Sequence, residues 1–170
     1  MRTLLFALVV AASLGLPPAS ARAESEPQPF VTRAAQGTLA LVALGERAVT
    51  LGTNEEIKAF GRLLIDEHRI LKSELDTSAA AAGAELPATA STQILPEGEL
   101  ALEYDAAAFD AEFTTVVRNR LDDLLAAYRV QSESGTNALL KSTATRALPV
   151  LLRQLEAADA LRNRVADAAQ

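Results

Sequence analysis

The chain has 170 residues, a formal net charge of −6, 49% hydrophobic residues and only 4% aromatic ones. That length suits a single domain, the Ala/Leu/Glu/Arg bias favours helices over a large sheet, and the negative charge excludes a broad basic surface for nucleic acid. Cysteine is absent, which excludes disulfides, thiolate metal sites and a lipid anchor carried on cysteine.

The first segment reads as a targeting signal. Met1-Arg2 gives a short positive start, Leu4 to Leu16 an apolar run, and Pro17-Pro18 a break. Ala21-Arg22-Ala23 then matches a small-x-small cleavage pattern, so residues 1–23 are expected to be a signal peptide and 24–170 the mature domain, beginning at Glu24. Loss of Arg2 and Arg22 takes the formal charge from −6 to −8. Nothing later approaches the ~20 consecutive apolar residues of a spanning helix. The expected location is therefore periplasmic or secreted.

After a polar lead-in, the first mature helix is predicted over Pro29 to Leu51. Its apolar line is Phe30, Ala34, Gly37, Leu41, Leu44, Ala48 and Leu51. Gly52 stops it, and Thr53-Asn54-Glu55-Glu56 has the form of a capping box, with the Thr53 hydroxyl accepting from the Glu56 amide. So short a link makes the second helix an antiparallel neighbour of the first. In that second helix Ile57, Gly61, Leu64, His68, Leu71 and Leu75 fall on one line, and the helix fades through Ala79–Ala82 to end near Gly83.

From Gly83 to Tyr104 the chain reads as connection, with Pro87, Pro96 and Gly98, and a short helix is conceivable around Glu99–Tyr104. A link of this length lets the third helix run parallel to the second. The third helix is predicted from Ala106 to Glu133, with Asp105 as N-cap, Gly135 as the stop, and a line of Phe109, Phe113, Val116, Arg120, Leu124 and Ala127. The fourth starts about Asn137. It carries Leu140, Ala144, Ala147, Leu151, Gln154, Ala158, Leu161 and Val165, with Pro149 inside it as an expected bend. Short, long and short connections indicate an all-α four-helix bundle with a long crossover between helices two and three.

Three polar residues interrupt the apolar lines: His68 on helix two, Arg120 on helix three and Gln154 on helix four. Beside Glu67, the single histidine admits three readings: metal ligand, proton-transfer group or hydrogen-bonded core residue. Each interruption costs stability unless it is hydrogen-bonded. No Gly-x-Ser-x-Gly elbow accompanies the histidine, and no phosphate-cradling glycine loop occurs. Acid pairs such as Asp122-Asp123 and Glu55-Glu56 read as solvated helix faces or helix-start charges.

Phe30-Val31-Thr32-Arg33-Ala34-Ala35-Gln36-Gly37 with Leu44-Gly45, Lys58-Ala59-Phe60 with Glu67-His68, Phe109-Asp110 with Phe113, and Leu148-Pro149 follow one another in order. In these residues the chain resembles the bacterial ferritin-like family called domain of unknown function 4142, often labelled as outer membrane proteins. The resemblance covers the mature chain except residues 84–104. It implies an exported ferritin-like four-helix bundle without an established activity.

Where the family has a helix-one glutamate this chain has Leu41, and where it has a helix-three histidine this chain has Arg120. Gln154 replaces the helix-four histidine after Leu-Pro, and only the pair Glu67-His68 remains. A metal site in such a bundle needs carboxylates and imidazoles from several helices, and arginine neither ligates nor tolerates a nearby cation. The expectation is therefore no catalytic, cofactor-binding or metal residues. In place of a metal site we expect a vestigial core polar cluster of Glu67, His68, Arg120 and Gln154, with Arg120 held by Glu67.

Two function classes follow. One is a non-enzymatic interaction or envelope-stress module with a protein partner in the cell envelope. The other is a ferritin-like metal-binding or redox protein, with non-haem iron or another divalent metal at a residual site around Glu67-His68.

Overall fold

The computed structural model describes residues 27–87 and 106–168, the side chains of Ala106 and Ala107 apart. These residues form four helices: α1 Pro27–Leu51, α2 Glu55–Ala81, α3 Ala106–Ser134 and α4 Ala138–Ala168. The predicted signal peptide, the short helix near Glu99–Tyr104 and the Asp105 cap lie outside the described residues. Among those described there is no strand, and no helix is long and apolar enough to cross a membrane.

Helix α1 packs on α2 and α3, and α4 packs on the same two, so α2 and α3 face each other across the diagonal. Contacts at the ends give the directions. Thr53, in the α1–α2 turn, bonds Asp110 at the start of α3. Arg164 at the end of α4 reaches Glu56 at the start of α2, while Ser78 near the end of α2 meets Thr143 near the start of α4. Helices α2 and α3 therefore run parallel, and the end of α2 and the start of α3 lie at opposite ends of the bundle. This is the all-α bundle with a crossover that the connection lengths indicate.

The helix ends show why the elements stop where they do. Gly83 adopts φ 69°, a left-handed conformation open to glycine. It closes α2 with paired bonds, Ala84 N–H to the Ala79 carbonyl and Gly83 N–H to the Ala80 carbonyl. Asn137 caps α4, its Oδ1 accepting from the Leu139 and Leu140 amides.

The α2 start differs from the capping box expected at Thr53. Asn54 is the cap, its side chain accepting from the Glu56 N–H at 2.7 Å. Thr53 is drawn instead to Asp110, giving its N–H at 3.2 Å and its hydroxyl at 2.6 Å to the two carboxylate oxygens. Asp110 is buried, and a buried carboxylate needs donors more than an exposed amide needs a cap.

The core is continuous from end to end. Phe60, Phe109 and Phe113 close one end, and Phe30 meets Tyr128 edge-on at the other. Not every expected inward position is buried. Leu51 is exposed at the last turn of α1. On α3, Val117 and Leu121 take the buried line in place of Val116 and Arg120, which are half-buried. Both lines are compatible with helical spacing from Phe113, and the apolar one spares a guanidinium from desolvation. Pro149 lies on the exposed face of α4, which continues through it.

Candidate functional site

The only histidine of the chain lies in the middle of α2 and is completely buried. Its neighbour across the α2–α4 seam is Gln154, 1% exposed, with His68 Nε2 and Gln154 Oε1 at 3.1 Å. Gln154 Nε2 donates at 2.8 Å to Glu67 Oε2, and Arg153 Nη2 donates at 2.6 Å to Glu67 Oε1. A chain of hydrogen bonds thus leads from the core to solvent: His68, Gln154, Glu67, Arg153.

Its polarity follows from the end groups. The Glu67 carboxylate only accepts, so the Gln154 amide must turn its nitrogen towards it and its oxygen towards the imidazole. That oxygen only accepts too, so His68 Nε2 carries the proton and Nδ1 the lone pair. Nδ1 is buried and has no hydrogen-bond partner among the described residues. Burial pushes the His68 pKa down to about 4, against a smaller upward pull from the Gln154 bond. At neutral pH the ring is uncharged.

Three of the four expected cluster residues, Glu67, His68 and Gln154, are brought together. Arg120 is not with them. The cation on Glu67 is Arg153, because α4 is adjacent to α2 whereas α3, which carries Arg120, is diagonal to it. Arg153 directly precedes Gln154, so helix spacing places its long side chain at the rim of the same seam. A polar residue on an apolar line stands out in the sequence, but Arg153 belongs to the flank and interrupts no such line. Its place next to Gln154 is the one signal that could have found it.

At the same seam a shallow groove of about 210 Å³ is lined by Glu67, Ile70, Leu71, Glu74, Arg146 and Val150. Leu41, where the resemblance leads us to expect a helix-one glutamate in the family, is fully buried and offers no donor. Among the described residues no three histidine, aspartate or glutamate side chains come together in a way that could hold a metal ion.

The family model described as Domain of unknown function (DUF4142) matches residues 14–161, most of the chain. The chain belongs to that family. No curated protein and no solved structure matches it. In this DUF4142 domain several residues that carry the family pattern serve the frame. Asp110 ties the α1–α2 turn to α3, and Gly45 lets α2 approach α1. Glu67 and His68 alone lead into the polar chain. That chain can hold α2 in register with α4 and can pass a hydrogen-bond rearrangement between surface and core.

Proposed function

We propose that this DUF4142 domain is an exported, ferritin-like bundle that acts without catalysis, as an interaction or envelope-stress module in the periplasm. The observation that carries this reading is the occupancy of the bundle centre. His68 spends its N–H on Gln154, Glu67 is paired with the Arg153 guanidinium and bonded by the Gln154 amide, and Leu41 on α1 puts only hydrocarbon into the core. One imidazole lone pair and one carboxylate already paired with a guanidinium do not fit a resident divalent metal, which needs several anionic or imidazole donors from different helices. Export rests on the sequence of residues 1–23. The absence of catalysis rests on His68 bonding, among the described residues, to an amide rather than to a nucleophile or a second titratable group.

Protein isolated from the periplasmic fraction without chelators tests both parts. Intact-mass analysis should place the N-terminus at Glu24, and elemental analysis should find no stoichiometric iron, manganese or zinc. Adding these metals should leave the melting temperature unchanged, whereas selective binding at a hundredfold excess over Kd would stabilise by about 2.7 kcal/mol. A stoichiometric metal that is lost in His68→Ala would overturn the reading in favour of a metal-binding or redox protein. Full-length chain confined to the membrane pellet would overturn the location.

A further inference from the structure

Along the outer side of the α2–α4 seam the residues pair in one antiparallel register. Glu56 meets Arg164 at 2.7 Å, Glu67 meets Arg153 at 2.6 Å, and Glu74 meets Arg146 at 3.8 Å. Every acid of these three pairs is on α2 and every base on α4. Between them the same register sets Leu63 opposite Ala157 and Ile70 opposite Val150, and the latter two line one groove. The steps from Glu56 through Leu63, Glu67 and Ile70 to Glu74 keep all five on one side of α2. Ile70 is 61% exposed and Leu63 37%, two large aliphatic side chains left in water two turns apart on the same face.

We propose that this face is a self-association surface, occupied by a second copy of the chain with its two-fold axis parallel to the bundle. The charge pattern selects both the partner and the axis. Rotation about an axis along the helices lays α2 of one copy on α4 of the other at the same level, so each glutamate meets a second arginine and Ile70 meets Val150 of the partner. Rotation about the perpendicular axis in the interface would set acids against acids and bases against bases. Each guanidinium has five N–H donors, and the Glu67 contact uses one of those on Arg153, so a second carboxylate can be received without breaking the first pair. Helix α2 is about 40 Å long at 1.5 Å per residue, enough for the face to present all five rungs. The inference goes beyond the function proposed above and does not depend on the absence of metal.

The mature chain should sediment as a concentration-dependent dimer that weakens several-fold between about 0.05 and about 0.5 M salt as the charges are screened. Ile70→Arg should weaken association by about 30-fold or more while leaving the melting point of the monomer unchanged, since the side chain is already exposed. Because the chain has no cysteine, orientation is read by cross-linking. Ile70→Cys chains mixed with Val150→Cys chains should give a disulfide-linked heterodimer, and neither variant alone should link. A monomer at every concentration, or a dimer indifferent to Ile70→Arg, overturns the proposal. Self-linking of Ile70→Cys overturns the axis. A cysteine at position 70 that is shielded from thiol reagents in a monomer would mean that residues 88–105 of the same chain cover the face, which also overturns it.

Discussion

His68 is a neutral ring in an apolar layer, and its titration is the property most directly set by burial. In the unfolded chain it takes up a proton near pH 6.5, whereas in the fold it refuses one until about pH 4. Between those values the unfolded state binds more protons, so stability is full above about pH 6.5, falls as pH drops towards 4, and is constant in this respect below that. The total is about 3 kcal/mol, since the two states part by about 1.36 kcal/mol for each pH unit of that window. His68→Gln should therefore flatten the stability profile across this window relative to the unaltered chain. Denaturant titrations of both proteins at intervals from pH 7 to 4 measure it, and parallel profiles would show that His68 is not the titrating group. Gln154 is the residue that makes a buried neutral histidine tolerable, because its amide joins the ring to the carboxylate outside. Leaving either end of that amide unpaired costs about 1–3 kcal/mol.

Among the elements, α1 and α2 are the most closely fitted pair, and two glycines allow it. A Cβ on Gly61 would lie 2.7 Å from the Gly45 carbonyl oxygen and 2.8 Å from the Ala48 Cβ, and a Cβ on Gly45 would lie 2.7 Å from the Gly61 carbonyl oxygen. Neither backbone can yield without moving a whole helix. Gly61→Ala should destabilise by about 1–3 kcal/mol, although alanine is the better helix former by about 1 kcal/mol. Gly37→Ala is the control, since its Cβ would meet only the end of the Leu124 side chain, which can turn away. Thermal or denaturant midpoints for the two variants should separate clearly, and equal midpoints would remove the close approach as the reason for glycine. By contrast, the Glu56–Arg164 rung between α2 and α4 is well exposed on both sides and contributes only ~0.2–1 kcal/mol to the monomer, and the Arg153 side of the Glu67 rung is open to solvent as well.

At the scale of the whole molecule, the crossover separates two antiparallel hairpins whose assembly needs contacts far apart in sequence. Asp110 makes one of them, receiving two bonds from Thr53 and so anchoring the start of α3 at the α1–α2 turn. Asp110→Ala should cost about 2 kcal/mol, within the range for hydrogen bonds to a charged group. It should also speed hydrogen exchange at the start of α3 and in the 52–56 turn more than at the far end of the bundle. Uniform protection across both ends would show that the contact does not anchor the topology. The opposite end has its own fastening, the Gln28 amide paired with both the N–H and the carbonyl of Glu85, each at 2.8 Å. The two clamps hold the chain where it leaves α2 and where it enters α3.

Helical periodicity by itself determined four helices, their approximate ends and the order of short, long and short links, because a buried face and its stops are local properties of the chain. It also placed His68 and Gln154 inward, each lying on an otherwise apolar line. It did not separate the two competing lines on α3. Val117 and Leu121 win over Val116 and Arg120 only once α2 is found diagonal to α3 rather than beside it. Nor could it give Arg153 to Glu67, or Thr53 to Asp110, since both pairs join segments that are remote in sequence and neither residue departs from a local pattern. Which helices are neighbours is decided by packing all four faces at once, and the partners of every buried polar group follow from that choice.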